Sequence, residues 1–166
     1  MQLAQYFSQK LLYYLHRKKV KKMCKLCNGE NHTLIFKEAP TFPTSTETNA
    51  IELSISRNVL YVDLDMYDST SIHGQIEINF CPFCGKHLTK TAFKSCTFCD
   101  GQDHKLFADE APIFAGSPET NNIYLAIIGN ELILFGDLYE SESIEDTIKV
   151  NYCPFCGKKL KESEQK

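Results

Sequence analysis

Residues Asn79–Leu88 read NFCPFCGKHL, and residues Asn151–Leu160 read NYCPFCGKKL. Two cysteines two residues apart describe a tight turn that leaves both sulfurs on one side. The glycine that follows suits the positive φ by which backbone N–H groups turn toward those sulfurs. The two stretches lie 72 residues apart, and that spacing holds along most of the chain. Residues 23–94 align with residues 95–166 without a gap, with 33 identities in 72 positions. Cys24, Cys27, Cys81 and Cys84 fall on Cys96, Cys99, Cys153 and Cys156, while Gly29, His32, Pro40 and Phe42 fall on Gly101, His104, Pro112 and Phe114. The chain is therefore one unit written twice, residues 23–94 and 95–166, preceded by a separate segment, residues 1–22.

Within each unit the apolar residues alternate. Ile51, Leu53 and Ile55 face one way while Glu52, Ser54 and Ser56 face the other, which is a half-buried strand. Thr33–Lys37 and Val59–Asp65 are further strand candidates, and Gln75–Phe80 or Thr147–Tyr152 leads into the CPFCG turn. Arg57-Asn58 and Gly129-Asn130 mark hairpin turns, the second with two residues that accept positive φ. Pro40–Thr48 is polar and reads as a loop. In residues 1–22, Leu3, Phe7, Leu11 and Tyr14 or Leu15 recur on one helical face, and the bases gather at the C-terminal end, where they offset a helix dipole. The predicted class is α+β, mainly β: an N-terminal basic amphipathic helix followed by two homologous β units.

Charge is unevenly spread. Residues 1–22 hold six bases and no acid, residues 23–94 six bases and eight acids, and residues 95–166 six bases and thirteen acids. That distribution excludes a nucleic-acid footprint spread over the whole surface, because phosphate binding needs a positive one. It leaves a local basic run, Lys18, Lys19, Lys21 and Lys22, which is either a solvated helix end or a contact for nucleic acid or an acidic surface. The N-terminus lacks a continuous apolar stretch and a small-residue cleavage site, and no segment approaches the ~18 apolar residues that span a bilayer. A cytoplasmic protein without membrane contact is expected, where thiols stay reduced and CxxC pairs act as metal ligands.

Eight cysteines in four CxxC pairs supply two tetrahedral sets. Small cores need such a supplement, since units of this size bury too little apolar surface to be secure alone. The repeat favours one Zn(II) on Cys24, Cys27, Cys81 and Cys84 and a second on Cys96, Cys99, Cys153 and Cys156. The competing arrangement joins Cys81 and Cys84 to Cys96 and Cys99, which are nearer in sequence. Iron fits the same ligands. A thioredoxin-like role would want one exposed CxxC in a βαβ setting, which four pairs in β-rich surroundings do not provide. His32 and His104 stand at CxxCxxxxH spacing, similar to a retroviral-type zinc knuckle. Lys37 and Asp109 occupy its fourth position, so the histidines read as loop residues beside the sites.

The CPxCG turns resemble those of the zinc-ribbon class, and the resemblance covers the cysteine turns of both units. The departure is length, because 53 residues separate Cys27 from Cys81 and each unit must carry an inserted sheet. A CxxC near the start and a CPxCG near the end are also similar to small uncharacterised products of phages and mobile elements of Gram-positive bacteria. That resemblance implies a phage or mobile-element protein, and with it an inhibitor of a host defence protein.

Catalysis finds little footing. A full shell of four thiolates leaves no open position for a reactive water, and no phosphate loop or nucleophile elbow occurs. Asp63, Asp65 and Asp68 are matched in the second copy by Phe135, Asp137 and Glu140, a solvated strand edge rather than an acidic site. The copies differ most on the outward hairpin face, where Glu52, Ser54, Ser56 and Asp63 become Tyr124, Ala126, Ile128 and Phe135. A sheet apolar on both faces must be covered, by the N-terminal helix, the other repeat, a second subunit in a homodimer, or a protein target. Tyr124, Ile128 and Phe135 are therefore interface candidates. The reading is a non-enzymatic, zinc-stabilised binding protein; the alternative is a nucleic-acid-binding regulator that uses the basic helix.

Overall fold

The structure, a computed structural model, describes residues 24–41, 44–67, 69–90, 96–99, 102–139 and 141–161. Each repeat folds into a four-stranded antiparallel meander. In the first, β1 (Asn31–Pro40), β2 (Thr48–Ser56), β3 (Val59–Asp65) and β4 (Ile72–Glu77) pair in chain order. In the second, β5 (His104–Pro112), β6 (Thr120–Ile128), β7 (Glu131–Asp137) and β8 (Ile144–Lys149) do the same. Both first strands carry an irregularity at the same place, between Thr33 and Ile35 and between Lys105 and Phe107.

The expected α+β class is corrected by these strands. Among the described residues the fold is all-β, with one short 3-10 turn, Lys25–Cys27, and no α-helix. The physical reason is the pattern itself. Apolar residues recur with period two wherever the core forms, and the connections inside each sheet span only residues 41–47, 57–58 and 66–71, with the same three in the second copy. No such stretch has both the length and the 3.6-residue spacing of a packed helix. The helix predicted over residues 1–22, with Lys18, Lys19, Lys21 and Lys22, lies outside the described residues.

The alternation read from sequence sets the inner faces. Ile51, Leu53, Ile55, Leu60, Val62 and Leu64 of the first sheet and Leu125, Leu132 and Leu134 of the second are fully buried in one apolar cluster. The sheets stack as two layers, β1 against β8, β4 against β5 and β2 against β7. The hairpins form where expected, with one difference in their conformation. Positive φ falls only on the first turn residue, 54° at Arg57 and 58° at Gly129, the pattern of a type II′ turn. The first copy thus places an arginine where a Cβ is unfavourable.

Where the two layers meet, the copies have traded volume. A Cβ at Gly74 would collide with the Phe107 ring of the opposite sheet, and one at Gly136 would lie 3.0 Å from Ile51 Cγ2. The counterparts of these glycines in the other copy are Asp146 and Leu64. Gly74→Ala is therefore expected to destabilise the fold by about 2 kcal/mol through overpacking. Pairing it with Phe107→Ile, which installs the residue found at position 35, should recover at least half of that in a thermal-unfolding double-mutant cycle.

Candidate metal centres

Each site is assembled from the two ends of one sheet. The turn at Cys24–Cys27 precedes β1, and the CPFCG turn follows β4, so the antiparallel meander returns the chain to where it started. In the CPFCG turn, Gly85 N–H donates to the Cys81 carbonyl at 2.9 Å and Cys81 N–H donates to the Lys86 carbonyl at 2.9 Å. Gly157 and Cys153 repeat both bonds with the same lengths, the second to Lys158. Gly85 and Gly157 hold φ at 69° and 72°, the left-handed region for which the sequence keeps glycine.

Four thiols gather in each repeat, Cys24, Cys27, Cys81 and Cys84 in one and Cys96, Cys99, Cys153 and Cys156 in the other, all sulfurs of a group within 4.8 Å of one another. The pairing within repeats is the one found, and the pairing across Cys81, Cys84, Cys96 and Cys99 is not. Sγ–Sγ separations are 4.0 Å for Cys24–Cys81, 3.7 Å for Cys27–Cys84, 3.6 Å for Cys96–Cys153 and 3.5 Å for Cys99–Cys156. A tetrahedron with metal–sulfur bonds of ~2.3 Å has edges of about 3.8 Å. The residues therefore fit a tetrathiolate metal ion in both repeats. None of the eight cysteines is joined in a disulfide.

Burial shapes the chemistry of these sulfurs. It pushes the Cys27 and Cys99 thiols up from 9.0 to about 11, with neighbouring thiols adding to the shift. Cys81 and Cys153, the most deeply placed, are raised further by burial, although the backbone N–H groups of the same turn pull the other way. Burial also acts upward on Cys84 and Cys156, but there it is outweighed. Hydrogen bonds from the backbone of Lys86 or Lys158 and from the neighbouring thiols leave both below the ordinary value. A divalent ion is the group that would let all four sulfurs ionise together.

Cations flank both groups, a feature that reading the cysteine spacing alone missed. Arg57 and Lys86 line a recess beside Cys27, and Lys158, Lys159 and Lys161 line another beside Cys99. Four thiolates on a divalent ion carry two net negative charges, which these side chains offset. The signal was present in CPFCGKHL and CPFCGKKLK, where bases follow each turn directly. His32 Nε2 lies 2.9 Å from Asn28 Oδ1, and His104 meets the Phe98 ring edge-on at 5.6 Å, so neither belongs to a thiol group.

The predicted interface residues lie apart from the thiols, on the outer face of the second sheet. Tyr124 and Phe135 are cross-strand partners and stack with centroids 5.0 Å apart, and Lys105 Nζ sits 5.2 Å from the Tyr124 ring. Ile128 is exposed at the end of β6. Ile133 pairs with Ala126 on the same face and was missed, because a lone isoleucine among inward-facing leucines does not announce its side of the sheet. Ala126 and its counterpart Ser54 point outward yet are buried. No helix among the described residues is long and apolar enough to cross a membrane.

Compared with protein-family models, with curated proteins and with solved structures, the chain matches none, so the resemblance to phage and mobile-element products has no support from homologues.

The raised thiols carry a pH prediction for the reduced, metal-free chain. A fold that holds the Cys27 and Cys99 protons up to about 11 against an ordinary 9.0 has that stability in full below pH 9 and loses it as pH rises through 11. The urea midpoint of the metal-free chain should therefore fall steadily between those two values. Saturation with a thiophilic metal ion should reverse the trend, since binding displaces protons and strengthens as pH rises.

Proposed function

We propose that this is a non-enzymatic binding protein whose scaffold is held by two Zn(II) ions, one on each set of four cysteines, and whose second sheet receives a protein partner on its outer face. Zinc is favoured over iron because a nitrogen or sulfur site binds Zn(II) more tightly than Fe(II), and the thiol spacing suits a closed structural site. A closed shell has no position for a reactive water, so the sites serve the scaffold. The narrower reading, an inhibitor of a host defence protein, rests on the resemblance to phage and mobile-element products alone.

The observation that carries the binding role is the contrast between two otherwise equivalent faces. Glu52, Ser56, Tyr61 and Asp63 on the first sheet correspond to Tyr124, Ile128, Ile133 and Phe135 on the second. The two copies share all four thiols, but the outer face that carries Glu52 and Asp63 in the first carries a stacked aromatic pair in the second. A stacked aromatic pair with a lysine over it, beside a surface groove of about 460 Å³, has the composition that anchors protein interfaces.

Two measurements test this. Elemental analysis of the purified reduced chain should return two zinc ions per molecule, and none would end the zinc reading. Tyr124→Glu with Phe135→Asp installs the residues of the first sheet. It sets two acids opposite each other, one of them facing Glu145 as well, so it should lower thermal stability, while the folded variant should bind the partner captured from source cells at least about a hundredfold more weakly. Retained affinity would exclude this face, and loss of self-association in light scattering would identify the partner as a second copy.

A further inference from the structure

The two CPFCG turns are hydrogen-bonded to each other across the repeats, and each contact runs in both directions. The Pro82 carbonyl, between Cys81 and Cys84, accepts N–H groups from Asn151 at 2.8 Å and Tyr152 at 2.9 Å. The Pro154 carbonyl, between Cys153 and Cys156, accepts those of Asn79 and Phe80, both at 2.9 Å. Side chains repeat the exchange, with Asn151 Nδ2 donating to the Phe83 carbonyl at 3.1 Å and Asn79 Nδ2 to the Phe155 carbonyl at 3.4 Å. Rings close it. A Cβ at Gly85 would lie 2.8 Å from the Tyr152 ring, and one at Gly157 would lie 2.5 Å from that of Phe80.

The donors in this exchange are the two residues that lead directly into a ligand, Asn79-Phe80 into Cys81 and Asn151-Tyr152 into Cys153. Cys81 and Cys153 are fully buried, so neither turn can shift without disturbing the seam. An ion that clamps Cys81 and Cys84 to Cys24 and Cys27 fixes the Pro82 carbonyl as acceptor and holds Asn79 and Phe80 extended as donors. If that site opens, Asn151 and Tyr152 lose their acceptor just ahead of Cys153, and the turn that presents Cys153 and Cys156 loses the hydrogen bonds that hold its approach.

From this geometry we infer that each metal centre is seated by the other repeat, so that the two ions bind as a cooperative pair. Asn79, Phe80, Asn151 and Tyr152 are positioning residues, each acting on the turn of the opposite site. The inference rests on the reading of both thiol groups as metal sites. Its signature is the scarcity of chains holding one ion.

Native mass spectrometry of the reduced full-length chain, titrated with Zn(II) to half saturation, reads this directly. Independent equal sites would leave about half of the molecules with one ion, whereas coupling of roughly a hundredfold leaves about a tenth. Chains with zero or two ions should therefore dominate. Tyr152→Ala alters no thiol and should raise the one-ion fraction toward a half, while Leu134→Val, in the core away from the seam, should lower thermal stability and leave the distribution bimodal. Cys156→Ser should weaken zinc at the intact first site by tenfold or more in a chelator competition. A statistical distribution in the unaltered chain, or unchanged affinity in Cys156→Ser, would overturn the coupling while leaving two zinc sites standing. Failure to take up any zinc would remove the metal reading and the coupling together.

Discussion

Four sulfur atoms held within a few ångströms of one another have no reason to stay there unless something positive joins them or protons keep them neutral. In each repeat the backbone brings them close, through a meander that returns to its origin and a glycine turn that aims N–H groups inward. Burial then keeps the deepest thiols protonated in the absence of metal. The rest of the molecule follows from that gathering. The sheets stack because each presents an inner apolar face that the other covers, in one shared cluster.

Much of this was legible in the sequence. The repeat, the ligand sets and the strand Val59–Asp65 are local or periodic signals, and period-two alternation over Ile51, Leu53 and Ile55 named the buried face correctly. The final strands were placed about three residues late, at Gln75–Phe80 instead of Ile72–Glu77, because the β-rich run into the cysteine turn continues past the last ladder bond.

The seam between the turns was not legible, for a physical reason. Its acceptors are backbone carbonyls, of Pro82, Phe83, Pro154 and Phe155, and its donors are mostly backbone N–H groups, which every sequence supplies. Only Asn79 and Asn151, with the aromatic residue after each and the glycine after each second cysteine, left a side-chain trace. Those positions were visible in the repeat, but identity between copies shows that a residue is kept, not which copy it touches. Nor did the expected β units show that their inner faces would share one cluster, because an amphipathic strand specifies a covered face without naming the cover.

The traded volumes at the sheet interface have a consequence for the history of the duplication. Two copies of the first repeat, stacked as the two halves are here, would bring Leu64 against Ile51, where the second repeat offers Gly136. Two copies of the second would bring Asp146 toward Phe107, where the first offers Gly74. The two copies have thus diverged at points where they meet, as key and lock, and polypeptides cut between the repeats would be shaped for each other rather than for copies of themselves.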